Sequence, residues 1–93
     1  MNVKGMMIGV RRYQFTDKET GELVRGAKVQ VGVSPEDDNT AGFVVQDIPA
    51  SFDLYPSLST SAKQLAGKQV EVVCDVTLRG RYTKLRASSI QAA

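Results

Sequence analysis

The chain of 93 residues has no histidine, no tryptophan and one cysteine. No segment of it approaches the roughly 18 apolar residues that a membrane span needs. Each shortage removes a class of function. Without histidine the commonest general base and the commonest metal ligand are both missing. With Cys74 alone there is no internal disulfide and no zinc site, which suits a reducing cytoplasm. That cysteine lies in the apolar run "VEVVCDV", where a small buried hydrophobe is expected. The serines Ser57, Ser59, Ser61, Ser88 and Ser89 form no G-x-S-x-G elbow, and Lys63 in "TSAK" stands at the wrong spacing for an S-x-x-K pair. The acidic run Glu36, Asp37, Asp38 lacks the spacing of a calcium loop and reads as a solvated turn. The glycines of "GAKVQVG" open no helix and make no phosphate cradle. The expectation is a protein without catalysis, metal or cofactor. The start, "MNVKGMMIGVRRYQF", has charge where a signal peptide would have an apolar core, so a cytoplasmic location is expected.

What is present is a segregated charge pattern. The net charge is only +2, but residues 1–28 hold six basic and three acidic side chains, residues 29–62 hold five acidic and no basic ones, and residues 63–93 hold six basic and two acidic. If the two cationic ends are neighbours in the fold, their charges add into one basic face, the footprint of a nucleic-acid binder. Scattered surface charge serving solubility is the plainer alternative.

Length allows one domain with a modest core, residues 1–93. Val3 to Phe15 is rich in apolar residues and interrupted by Gly5 and Gly9, which suits a long strand that bends or carries a bulge. The polar cluster "TDKETGEL" is a hairpin turn, and "LVRGAKVQVGV" alternates as the returning strand. "SPEDDNTAG" is a loop, and "FVVQDI" a short third strand ended by Pro49. A short helix is predicted from about Ser61 to Ala66, capped by Ser59, Thr60 or Ser61 and stopped at Gly67. "QVEVVCDVTL" alternates with Val70, Val72, Cys74, Val76 and Leu78 on one face; "RGRY" turns the chain and "TKLRASSIQ" returns as a fifth strand. Three strands, a link and two strands make the plan of an OB-fold, an all-β, five-stranded, partly open barrel, here with a protruding hairpin and one short helix. A small SH3-like barrel is the competing architecture.

Single-stranded nucleic acid is held by a cationic groove and by aromatic rings on which bases stack. Of six aromatics, two tyrosines stand among basic residues: "RRYQF" with Arg11, Arg12, Tyr13 and Phe15, and "RGRYTKLR" with Arg79, Arg81, Tyr82, Lys84 and Arg86. Tyr82, beside a tight turn where core packing rarely reaches, is the better candidate for stacking. Tyr13, between apolar neighbours in a strand, fits the core or strand pairing as well as it fits a base. Arg79 and Arg81 flank Gly80, where they either clamp phosphates or keep the turn wet. Arg25 and Lys28 follow the first hairpin and could line a wing of the same groove.

The C-terminal third, "AGKQVEVVCDVTLRGRYTKLRASSIQ", and the hairpin "YQFTDKETGELVRGAKVQV" resemble the small single-stranded-DNA-binding, helix-destabilising proteins of filamentous phages. The resemblance implies that Tyr82 stacks on bases and that Arg12, Arg25, Lys28, Arg81 and Lys84 contact phosphates. It also implies a symmetric homodimer that binds single-stranded DNA cooperatively during phage or plasmid replication or recombination. RNA is the alternative polymer, since phosphate clamps and stacking rings serve both. The rival class is a small barrel that pairs with protein partners and binds no nucleic acid; a membrane partner is not expected.

Overall fold

The structure, a computed structural model, describes residues 2–34, 39 and 41–93, with the backbone alone for Arg79, Tyr82 and Thr83. The acidic loop at Glu36, Asp37 and Asp38 lies outside the described residues. Alternating sequence produces the strands β1 (Asn2–Thr16), β2 (Leu23–Val33), β3 (Val44–Ala50), β4 (Gln69–Arg79) and β5 (Tyr82–Ala92). A 3-10 turn at Phe52–Leu54 leads into one helix, α1 (Tyr55–Leu65), between β3 and β4. The strands close in the order β1-β2-β3-β5-β4, with β4 pairing back onto β1. This is the all-β, five-stranded OB-like barrel. No described helix is long and apolar enough to cross a membrane.

Two bulges set which residues face inward. On β1 the register passes from Met7↔Val31 to Gly9↔Gln30, so Ile8 is an extra residue without a partner on β2. On β5 the pairs Val73↔Ser89 and Cys74↔Ala87 leave Ser88 as the extra residue, and its hydroxyl donates to the Val73 carbonyl at 3.0 Å. Inside the barrel lie Met7, Val29, Val31, Ile48, Val70 and Val72, all fully buried, with Cys74, Ala27 and Ala87 beside them. Burying each of the larger side chains contributes roughly 1.5–3 kcal/mol. Leu58 and Ala62, four residues apart on α1, complete this core, and the helix rests on β1 and β5.

The helix begins six residues before the expected Ser61, at Tyr55. Pro56 stands in its first turn, where the missing N–H is no loss and the fixed φ suits the helix. No side-chain cap marks that start, so a search for Ser or Thr caps lands too late. At the other end the chain turns at Gly67, whose N–H donates to the Met7 carbonyl at 2.9 Å, while the Met7 N–H donates to the Lys68 carbonyl at 2.9 Å. The helix exit is thereby tied to β1.

Strand β3 runs through Pro49 to Ala50 rather than stopping at Ile48. A residue without an N–H is tolerated because, among the described residues, β3 pairs in the ladder with β5 only at Ala50↔Ala87. Val76 and Leu78 share the inward-facing parity of Cys74, as the alternation predicts, yet they are exposed, Leu78 by 76%. The reason is length. Among the described residues β1 covers β4 only as far as Val73, so the β4–β5 ribbon runs on beyond that pairing. The β1–β2 hairpin does the same: β3 reaches β2 no further than Ala27, and the pairs Tyr13↔Gly26 to Thr16↔Leu23 project unaccompanied.

Candidate nucleic-acid interface

Cross-strand partners point to the same face of a sheet, so the register sorts the cationic residues. The pairs Arg11↔Lys28, Tyr13↔Gly26 and Phe15↔Val24 present their side chains to the outer face of the β1–β2 hairpin. There they line an open hollow of about 480 Å³, together with Gln30, Asp47 and Arg12. A second hollow of about 380 Å³ is lined by Asp47, Pro49, Lys84, Leu85 and Arg86. It occupies the opening left where β3 and β5 part beyond Ala50↔Ala87. Asp47 borders both hollows, so they adjoin along β3. Among the described residues, five cations, Arg11, Arg12, Lys28, Lys84 and Arg86, thus line the two hollows against one carboxylate.

The aromatic content of this face is a pair of rings. Tyr13 and Phe15 stack with centroids 6.3 Å apart and planes 27° from parallel. Phe15 is 54% exposed, and the Lys28 ammonium stands 5.7 Å from the Tyr13 centroid. The ring of Tyr13 lies on bare backbone: a Cβ placed on Gly26 would meet Tyr13 Cζ at 2.7 Å and Oη closer still. Only glycine on β2 leaves room for the ring in that position. A stacked ring pair with an exposed member, flanked by cations, can hold a base by its face while the cations neutralise the neighbouring phosphates.

No protein-family model, curated protein or solved structure matches this chain.

Arg12 and Arg25 take the other face. Arg12↔Ala27 and Gln14↔Arg25 share the inward parity of Val10↔Val29. The Arg12 guanidinium lies 5.0 Å from the Tyr55 centroid, and that of Arg25 lies 5.2 Å from the Phe52 centroid. Each such contact contributes ~0.5–1 kcal/mol at an exposed site. Together they brace the projecting hairpin against the turn and helix beneath it. Arg12 borders the outer hollow as well as a smaller one with Tyr13, Gln14 and Phe52; Arg25 borders neither.

Lys84 and Arg86 share one face of β5 opposite Thr77 and Asp75. Arg81 is exposed in the turn between β4 and β5, where Gly80 stands first in a two-residue loop with φ 57°, the order that type II′ hairpins prefer. The ladder places Arg79 opposite Tyr82; the side chains of both, and with them the expected stacking of Tyr82, lie outside what is described. Among the described residues, no hydrogen bond, ion pair or ring contact engages the side chain of Arg11, Arg81, Lys84 or Arg86.

Two features of the face escape a reading of the sequence. Phe15 is visible there only as a neighbour in "RRYQF", since its outward parity depends on the bulge at Ile8. Asp47 belongs to the acidic central segment and nevertheless stands on the cationic face, where it accepts a hydrogen bond from Gln30 Nε2 at 3.1 Å. The tip of the protruding hairpin is acidic. Asp17, Glu19 and Glu22 gather at the turn, where Asp17 Oδ1 accepts from the Glu19 N–H at 2.8 Å and the Asp17 N–H donates to the Glu22 carbonyl at 2.8 Å. A polyanion drawn to this hairpin therefore finds its positive potential along the middle of the ribbon and not at the tip.

Proposed function

We propose that this protein binds single-stranded DNA with little reliance on sequence, by electrostatic capture and base stacking and without catalysis. The observation that carries the reading is the outer face of β1, β2, β3 and β5, where two adjoining cationic hollows meet a stacked Tyr13–Phe15 pair. The strand 2 and 3 face and the loops beside it are the surface on which OB-folds bind oligonucleotides. Duplex DNA, with its bases stacked inside, offers nothing to the rings, so selectivity for the single strand follows from the aromatic pair. Holding DNA open during replication or recombination is the role such binding serves, in a phage or plasmid setting and in the cytoplasm of the host. Single-stranded RNA offers the same phosphates and ring faces.

Self-association into a homodimer is part of the proposal. The exposed apolar side chains of Ile8, which lies against Gly32 of β2, of Val45, the cross-strand partner of Gly32, and of Phe43 and Val44 just before it support it. The same residues favour the rival reading, a barrel that docks onto another protein, and light scattering on the purified chain separates self-association from a monomeric state.

The test is fluorescence anisotropy of a labelled oligo-dT of about 30 nucleotides at two salt concentrations, beside a duplex control. With three or four phosphates neutralised at ~0.7 each, the log–log salt slope is expected near −2 to −3. Absence of binding at low salt, or equal affinity for the duplex, overturns the reading.

A further inference from the structure

Asp75 stands opposite Arg86 on β4, but among the described residues the carboxylate of Asp47 is the one anionic group that lines the two hollows. A phosphate placed over it is repelled, so the backbone of a bound strand runs beside Arg11 and Lys28 at one end and Lys84 and Arg86 at the other. What covers Asp47 between them is a base. Because an ionised carboxylate only accepts hydrogen bonds, the Gln30 amide must turn its NH2 toward Asp47, as the 3.1 Å contact to Oδ1 requires. Among the described residues Gln30 is the only hydrogen-bond partner of Asp47. Oδ2 and a lone pair of Oδ1 therefore remain to accept next to the second hydrogen of the Gln30 amide, which remains to donate, while Gln30 Oε1 accepts on the far side of that amide.

Two acceptors beside one donor match a single base edge. Guanine presents N1–H and N2–H as adjacent donors, with O6 next to them as acceptor. Cytosine and adenine each offer one amino donor beside a ring acceptor, and thymine one imino donor between two carbonyls. We infer that Asp47 and Gln30 form a guanine-reading subsite at the centre of the groove, a local preference laid over otherwise sequence-tolerant binding. The inference rests on the single-strand reading above. It adds that the Watson–Crick edge of an unstacked guanine faces β3 while its neighbours stack by their faces.

The experiment titrates the wild-type protein and the Asp47→Asn variant with three labelled 30-mers. One is oligo-dT, one carries guanine at every third position, and one carries inosine at those positions. Inosine keeps N1–H, O6 and most of the stacking surface but lacks the N2 amine. The wild type is expected to bind the guanine oligonucleotide about fivefold or more tighter than oligo-dT, the lower end of what a good bidentate base contact discriminates. Inosine should forfeit most of that preference. Asp47→Asn, which replaces an acceptor by a donor and removes a negative charge from the groove, should bind oligo-dT more tightly and lose the guanine preference. Equal wild-type affinity for the guanine and inosine strands, or a guanine preference that survives in Asp47→Asn, overturns the subsite while leaving single-strand binding in place. Failure of all three strands to bind at low salt overturns the single-strand reading and the subsite with it.

Discussion

Replacing Gly26 by alanine separates the binding surface from the stability of the fold. The Tyr13 ring rests on the Gly26 backbone, and an added Cβ would stand 2.7 Å from Tyr13 Cζ, a contact that carbon atoms do not sustain. The backbone on both sides is held by the ladder from Met6↔Gly32 to Thr16↔Leu23, so the ring is what moves. In leaving, it parts from Phe15 at 6.3 Å and from the Lys28 ammonium at 5.7 Å. Those contacts contribute about 0.5–1.5 and about 0.5–1 kcal/mol. Alanine in place of glycine within a strand returns roughly 0.5–1 kcal/mol of lost backbone freedom. The net cost to folding is therefore about 0–2 kcal/mol, small because this part of the hairpin projects beyond the barrel. Binding suffers more. Losing one stacked base costs about 1–3 kcal/mol, or roughly 5- to 150-fold in affinity. Urea denaturation and oligo-dT anisotropy on the same preparation measure the two effects. Undiminished affinity in a folded Gly26→Ala variant would refute the placement of a base on the Tyr13–Phe15 platform.

Truncating Leu58, the fully buried side chain of α1, leaves a cavity between helix and barrel; Leu58→Ala is expected to lower stability by about 2–5 kcal/mol in urea titration. Lys84→Ala and Arg86→Ala should each flatten the salt dependence of oligo-dT binding by about 0.7 per lost phosphate contact, read as the slope of log affinity against log salt. Lys28→Ala should weaken binding more than Arg25→Ala, whose guanidinium lies over Phe52 on the opposite face and whose loss should lower stability by ~0.5–1 kcal/mol instead; anisotropy and thermal melts on both variants compare them. Burial pushes the Cys74 thiol above its ordinary value of 9.0, with Asp75 adding in the same direction. A raised folded-state value makes a contribution to stability that is full below the unfolded value and lost as pH rises through the folded one. Stability should thus fall at pH above about 9, and Cys74→Ala should remove that part of the decline when melts are compared across alkaline pH.

The strands and turns of this protein are local matters, and its sequence determines them. "LVRGAKVQVGV" alternates at the period of a strand and is β2 from Leu23 to Val33; "TDKETGEL" and "RGRY" carry the glycines their turns need. The five-strand plan with a link after the third follows from that punctuation, and the OB-like barrel from the plan. The start of α1 was hidden because Leu54 and Pro56, instead of a polar cap, open it. The site was legible only as two cationic segments with aromatics among them. Their union on one face, with Asp47 between, is decided by which strands become neighbours across β3, a long-range pairing that no window of sequence contains. Likewise the parity of β1 beyond Met7 follows from the bulge at Ile8, and a bulge is a mismatch between two strands rather than a property of one. Strict alternation from Met7 would turn Tyr13 and Phe15 toward the core and Arg12 outward. The extra residue reverses this: Tyr13 and Phe15 face the groove, and Arg12 lies over Tyr55. The sequence by itself determined the residues available to bind; the tertiary register decided which of them face the same way.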